Sequence, residues 1–158
     1  MQVLVVPIAG RRFAIDCAEI VELLPVVGHR PAGTGPAWLL GLFNLRGALV
    51  PLVDLSTIVS GAPTSTRLGS RIAVLRLEGD LFRNASALVG LLVPEVAGMA
   101  EVDFDAGGAH PGFAFAGASH LGPTAIDGEG PVQLLRCRRI LEGDAALREL
   151  PATMEQAE

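Results

Sequence analysis

Nineteen glycines and eleven prolines punctuate a chain of 158 residues. Both residue types interrupt helix interiors and mark turns, so this spacing leaves room for short elements and little room for long helices. Between the breaks lie apolar runs of strand length: residues 2–9 (QVLVVPIA), 12–16 (RFAID), 41–46, 48–54 (ALVPLVD), 71–77, 87–93 and 132–137. The first two are split by Gly10-Arg11 and the next two by Gly47, which predicts hairpins. Pro7 suits an edge or a bulge, because it cannot donate to a ladder. Strands paired in this way, with few helices between them, point to an antiparallel barrel or sandwich rather than a doubly wound α/β fold. The length suits a single domain over residues 1–150, with 151–158 as a frayed tail.

Helical expectations are few. Asp16 three residues before Glu19 resembles a capping box, and Ile20, Leu23 and Leu24 follow at helical spacing. This predicts a helix of about two turns ending at Pro25, with Glu19 and Glu22 side by side away from its apolar face. Residues 37–40 read as a helical turn, and 138–141 and 145–150 as terminal helices separated by Gly143-Asp144. Residues 25–36, 60–70 and 103–112 read as loops, and 78–86 as a charged, flexible connection.

Composition removes whole classes of function. All 12 basic residues are arginine, so Schiff-base, pyridoxal phosphate and Walker-type phosphate chemistry lack their lysine. A net charge of −5 and a pI near 5.2 argue against nucleic-acid binding. The N-terminal arginines follow the first apolar run, the reverse of a signal peptide. Residues 106–126 are too polar and too broken to span a bilayer. The expectation is a cytoplasmic chain without direct membrane insertion, in which Cys17 and Cys137 are ordinary thiols. Asn84-Ala85-Ser86 matches a glycosylation acceptor, a match without weight when no secretion signal accompanies it.

Several residues invite chemistry. Ser119 and His120 suggest a nucleophile and base, but adjacent strand residues point to opposite faces and the run is not a G-x-S-x-G elbow. His29, His110, His120, Cys17 and Cys137 are solitary, without the paired spacing of a zinc site. Asp103 and Asp105 lack the rest of a calcium loop. Gly107-Gly108 leads into a turn rather than a phosphate-binding helix. Arg136, Arg138 and Arg139 flank Cys137 and would lower its thiol pKa, although a small buried side chain at the end of a core strand is the commoner situation. A small-molecule-binding or hydrolytic β-barrel using residues 103–120 stands as the alternative reading, with no metal and no cofactor assigned.

The run 36–54 escapes all these readings, because it places a single arginine, Arg46, amid apolar residues. Gly41, Asn44-Leu45-Arg46-Gly47, Pro51 and Asp54-Leu55 together resemble the signature of the CheW family of bacterial chemosensory adaptors. Phe13-Ala14-Ile15-Asp16 with Ile20-Val21-Glu22, and Val89-Gly90-Leu91-Leu92-Val93, are similar to further family segments, extending the resemblance over residues 2–142. It implies a mainly β fold of two intertwined, five-stranded SH3-like barrels with short helices. It also implies a non-enzymatic adaptor coupling the cytoplasmic hairpin tip of a chemoreceptor to the regulatory domain of a CheA-type histidine kinase. By position, Ile20, Glu22, Gly41, Asn44 and Arg46 correspond to the receptor-binding set: an ion pair between Glu22 and Arg46 would orient the arginine beside a groove that Ile20 and Gly41 help to form. Their bland counterparts are a core isoleucine, a turn glycine and a fold-stabilising bridge. Departures from the pattern at Pro94-Glu95, Pro123 and Arg136 fall in the second barrel and suit a specialised paralogue or a non-flagellar pathway.

Overall fold

The apolar runs become strands whose two faces are both covered, which is why they read as continuous rather than alternating. The computed structural model describes residues 1–78, 86–112, 118–142 and 154–155. Strands β1 (Gln2–Ile8) and β2 (Arg11–Asp16) form a hairpin, followed by a 3₁₀ turn over Cys17–Glu19. Then come β3 (Ile20–Pro25), β4 (Arg30–Pro31), β5 (Leu39–Leu45), β6 (Ala48–Asp54) and helix α1 (Leu55–Ser60). The remainder comprises β7 (Arg71–Glu78), β8 (Ser86–Val93), β9 (Gly98–Glu101), β10 (Leu121–Asp127), β11 (Gly130–Leu135), helix α2 (Cys137–Glu142) and β12 (Met154–Glu155).

These strands make two sheets. The first has five strands in the order β10-β11-β2-β1-β9, and the second runs β3-β7-β8-β6-β5-β4 with β12 beside β6. The second therefore holds five longer strands and two segments of two residues each, β4 and β12. The chain starts in the first sheet, crosses to the second after the 3₁₀ turn and returns at β9, so the two halves are interwoven. Pairing is antiparallel except at β11–β2 and β6–β8.

Successive side chains of one strand enter different cores. From β1, Leu4, Val6 and Ile8 join Phe13, Ile15, Leu75 and Leu91 in a core shared by both sheets. Val3 and Val5 turn instead to Ala14, Val102, Phe104, Ala125 and Val132, inside the first sheet. Phe43, Val50, Leu52, Ile72 and Val74 fill the inside of the second sheet. Each sheet is thus rolled around its own apolar interior and turns its outer face to its neighbour. Arg11 adds a clasp, lying 4.9 Å from the centre of the Phe13 ring and donating a 2.6 Å hydrogen bond to the Val59 carbonyl of α1.

The expected helix over 16–24 is not formed. Asp16 caps only a 3₁₀ turn, accepting from the Ala18 amide at 3.0 Å, and the chain then continues as β3. The expected helical turn over 37–40 is a turn at 37–38 that leads directly into β5. Helix α1 fills the interval between the strand expected over 48–54 and the loop expected over 60–70; its N-cap is Asp54, and Gly61 ends it with a left-handed φ of 78°. Strands β9 and β10 were not anticipated, nor were the short β4 inside the expected loop 25–36 and β12 inside the tail expected to fray, whereas residues 103–109 are irregular as expected. The expected helix 145–150 and the Asn84 acceptor lie outside the described residues.

Candidate functional site

A bulge in β3 builds the site. Ile20 pairs with Leu75 and Glu22 with Val74, so Val21 is an extra residue opposite β7. A bulge reverses the facing of the residues beyond it. Ile20 packs half-buried against the shared core, while Leu24 packs into the second sheet's interior. Glu22 therefore opens toward the end of that rolled interior.

Across the opening lies Arg46, in the turn between β5 and β6. In the sheet order β3 and β5 are four strands apart, about 19 Å if the sheet were flat. Yet Arg46 Nη2 donates to Glu22 Oε1, and Nη1 reaches Oε2 at 3.4 Å. The second sheet is therefore curled until its two ends meet, and they meet through side chains. The hydrogen bond to Glu22, reinforced by the carboxylate's charge, raises the Arg46 pKa above its ordinary value, so the cation is permanent. Its side chain is 68% exposed, against 28% for Glu22. A pair so open to water adds little to stability, which leaves its charge and geometry available for recognition.

The turn holds Arg46 in place. Leu45 pairs with Ala48, and both central residues have positive φ, 49° at Arg46 and 91° at Gly47, the conformation that matches hairpin twist. An arginine in the left-handed region is strained, and Asn44 offsets that strain by accepting the Gly47 amide at 2.7 Å. Asn44 is thus a positioning residue for Arg46.

Gly41 has a different task. A Cβ at this position would stand 1.8 Å from the Arg30 carbonyl oxygen, and its φ is 151°. Only glycine lets β4 cross β5 this closely. The crossing shapes a concavity of about 340 Å³ lined chiefly by apolar groups, among them Pro31, Ala32, Pro36, Leu39 and Leu42. Structure thus joins Glu22, Asn44 and Arg46 at one end of the second sheet and puts Gly41 in the wall of a hollow farther along β5. Ile20, before the bulge, belongs to the shared core rather than to that hollow.

Two further signature residues are internal. Asp54 is 1% exposed; Oδ1 accepts from the Ser56 amide at 3.2 Å and the Thr64 hydroxyl at 2.5 Å, and Oδ2 from the Thr64 amide at 2.9 Å. It caps α1 and ties down the loop beyond. Gly90 gives room to an aromatic ring, since a Cβ there would lie 2.5 Å from Phe43 Cε1. The run Val89-Gly90-Leu91 is visible in the sequence, but the ring it accommodates is 47 residues away and has no local signal.

The other candidates do not assemble. Ser119 and His120 sit in a turn over 118–120 and share no hydrogen bond; burial lowers the His120 pKa, leaving the imidazole neutral. Their carbonyls instead accept from Arg136, His120 from the amide at 2.9 Å and Ser119 from the guanidinium at 3.4 Å. Arg136 also donates to the Pro111 carbonyl at 3.0 Å, so the residue that departs from the family pattern ties residue 111 to residues 119–121. The flanking arginines do not activate Cys137: burial pushes its thiol pKa upward, and Glu19 and Asp16 push it further. Asp103 accepts the Asp105 amide at 2.9 Å, a local turn. Among the described residues no three His, Cys, Asp or Glu side chains converge, and no helix is long and apolar enough to cross a membrane.

The model of the CheW-like domain family matches residues 2–145. The probable chemotaxis protein CheW of Rhizobium etli is 31% identical over 84 residues, which is 51% of this chain and 50% of that protein. The chemotaxis protein CheW of Rhizobium meliloti is 32% identical over 84 residues, with the same shares. The chain thus spans about half the length of the curated relatives it matches. The crystal structure of scaffolding protein TtCheW from Thermoanaerobacter tengcongensis superposes with a TM-score of 0.70 at 18% identity, covering 85% of this chain and 88% of that one. That likeness establishes the shared fold, and the match over residues 2–145 establishes the kinship: the chain belongs to the CheW-like domain family.

Proposed function

We propose that the chain is a non-enzymatic adaptor that couples the cytoplasmic tip of a chemoreceptor to the regulatory domain of a CheA-type histidine kinase. The observation that carries this reading is the Glu22–Arg46 pair, an oriented cation at the open end of a rolled sheet, with an apolar hollow farther along β5 from Leu42 onward. Such an arrangement suits a helical ridge: apolar area supplies affinity, and the charge fixes register. Family membership supports a scaffolding role rather than catalysis, and Ser119 and His120 share no hydrogen bond on which a hydrolytic alternative could rest. The Pro94-Glu95, Pro123 and Arg136 departures fit a specialised or non-flagellar branch of chemosensory signalling.

The test is calorimetric titration with a soluble cytoplasmic fragment of a receptor from the same organism. Arg46→Ala should weaken binding tenfold or more while leaving the thermal transition within about 2 °C of the parent. Unchanged binding by the folded variant would refute the role of Arg46, and a collapse of the fold would make the pair structural.

A further inference from the structure

Strand β6 changes neighbours along its length. On one side it keeps β5 throughout, from Ala48 opposite Leu45 to Val53 opposite Leu39. On the other side its ladder with β8 begins only at Leu52. Pro51 stands at that break and has no amide with which to extend the ladder. The stretch before it, next to the Arg46 turn, therefore has an edge that β8 does not cover. Leu45 faces Ala48 across a two-residue turn, so Ala48 bonds toward β5 and Leu49 turns its amide and carbonyl to the uncovered side. Asp54, an even step along the strand from Ala48, keeps this alternation: its amide donates to the Trp38 carbonyl, on the β5 side, at 2.8 Å.

The chain's own C-terminal segment lies on that edge. β12 runs antiparallel to β6, with Met154 opposite Leu49 and Glu155 opposite Ala48. Met154 thus meets the outward main-chain groups of Leu49, and Glu155 comes into register next to the turn that carries Arg46. Residues 151–158 contain two glutamates and no arginine, so an acidic segment is laid beside a permanent cation. A strand of two residues is weak by itself. Being part of the same chain, it finds its edge at high effective concentration, and a tighter partner can still displace it.

We propose that the C-terminal segment is a tethered competitor for the Arg46 end: residues 154–155 fill the free edge of β6 by strand addition, and a helical partner approaching Arg46 must lift them off. The occupant is given by the β12–β6 register; the incoming partner, a receptor tip, rests on the adaptor reading above. Neighbouring strands lie about 4.8 Å apart and a helix with its side chains is about 10 Å wide, so a helix seated over Arg46 overlaps the ground on which β12 stands. The apparent affinity for that partner is then reduced by the fraction of molecules whose edge is clear.

Two measurements on the whole chain test this. Hydrogen exchange reads the pairing: Met154→Pro removes the amide that faces Leu49 and should speed exchange of the Leu49 amide about tenfold or more, with an unchanged melting curve. Calorimetric titration with a soluble receptor fragment from the same organism reads the competition. The same variant should bind about threefold to tenfold more tightly than the parent. Glu155→Gln should gain less, and only at low salt. Unchanged exchange at Leu49 in Met154→Pro would show that the segment does not hold the edge, which overturns the proposal and leaves the adaptor reading intact. Faster exchange with unaltered receptor affinity would remove the competition and again spare that reading. A dimeric parent with a monomeric Met154→Pro variant would put the segment on a second copy and overturn the intramolecular occupant. If neither parent nor variant binds the receptor, the adaptor reading falls and the competition falls with it.

Discussion

The two charged residues of the signature hairpin, Arg46 and Asp54, have opposite fates. Both belong to the segment whose pattern identifies the family, and they flank the same strand, β6. Asp54 is enclosed and accepts three hydrogen bonds, fixing α1 and residue 64. Arg46 projects into solvent from a positive-φ turn and holds one carboxylate. A motif therefore mixes residues that make the fold with residues that use it, and its spacing does not separate them. Burial and bonding do.

Breaking the buried end should have the largest effect. Asp54→Ala leaves the Thr64 amide and hydroxyl and the first turn of α1 without their acceptor, a loss of about 2–4 kcal/mol in urea-induced unfolding. A value below about 1 kcal/mol would mean that water replaces the carboxylate, and the two ends would then be less different than they look. Between them, Gly90→Ala forces a methyl against the Phe43 ring and should destabilise by about 1–3 kcal/mol. Adding Phe43→Leu should recover part of that loss; if it deepens the loss, the ring is not the obstacle. At the exposed end, Arg46→Ala should cost less than about 0.5 kcal/mol by the same measurement, so that its effect on binding stands apart from stability.

The smallest effect sharpens the contrast between ion pairs. Arg12 grips Asp127 with two hydrogen bonds of 2.8 and 2.9 Å, more sheltered than the Arg46 pair. Those bonds, with the Glu129 amide, hold the Asp127 pKa down to about 2. A depressed carboxylate pKa contributes stability above its unfolded value near 4, and that contribution disappears as pH falls toward 2. Arg12→Gln should flatten the decline of melting temperature between pH 4 and 2. A variant whose decline matches the parent's would show that the pair adds no more than an exposed one.

Much of the fold was legible because strands with two covered faces are apolar throughout, as in residues 2–8 and 48–54. β3 was not, and its bulge explains the error. Val21 is an extra residue, so Ile20 packs on the shared core and Leu24 in the second sheet's interior while Leu23 is 41% exposed; the three apolar residues imitate a helical stripe without sharing one face. α1 carried readable signals, an aspartate cap at Asp54 and a glycine stop at Gly61, but Thr57, Ile58 and Val59 between them favour strand by propensity. β9 has little to read, since only Ala100 of its four residues is even partly buried. Of the site, Glu22, Asn44 and Arg46 were identifiable by resemblance, and the positive φ that presents the arginine was foreshadowed by the following glycine.

Strands that face a core on both sides have no flat surface to lend. In most β proteins a solvent-facing sheet can drift toward new contacts one side chain at a time, whereas along β1, β2, β6, β7 and β8 such a change would intrude on one of three interiors. What those strands can offer to other molecules lies where they stop or are crossed: the turn at Arg46 and the crossing at Gly41. New specificity in such a protein is a matter of turns and loop lengths, and the two rolled sheets can remain unaltered while their ends diverge.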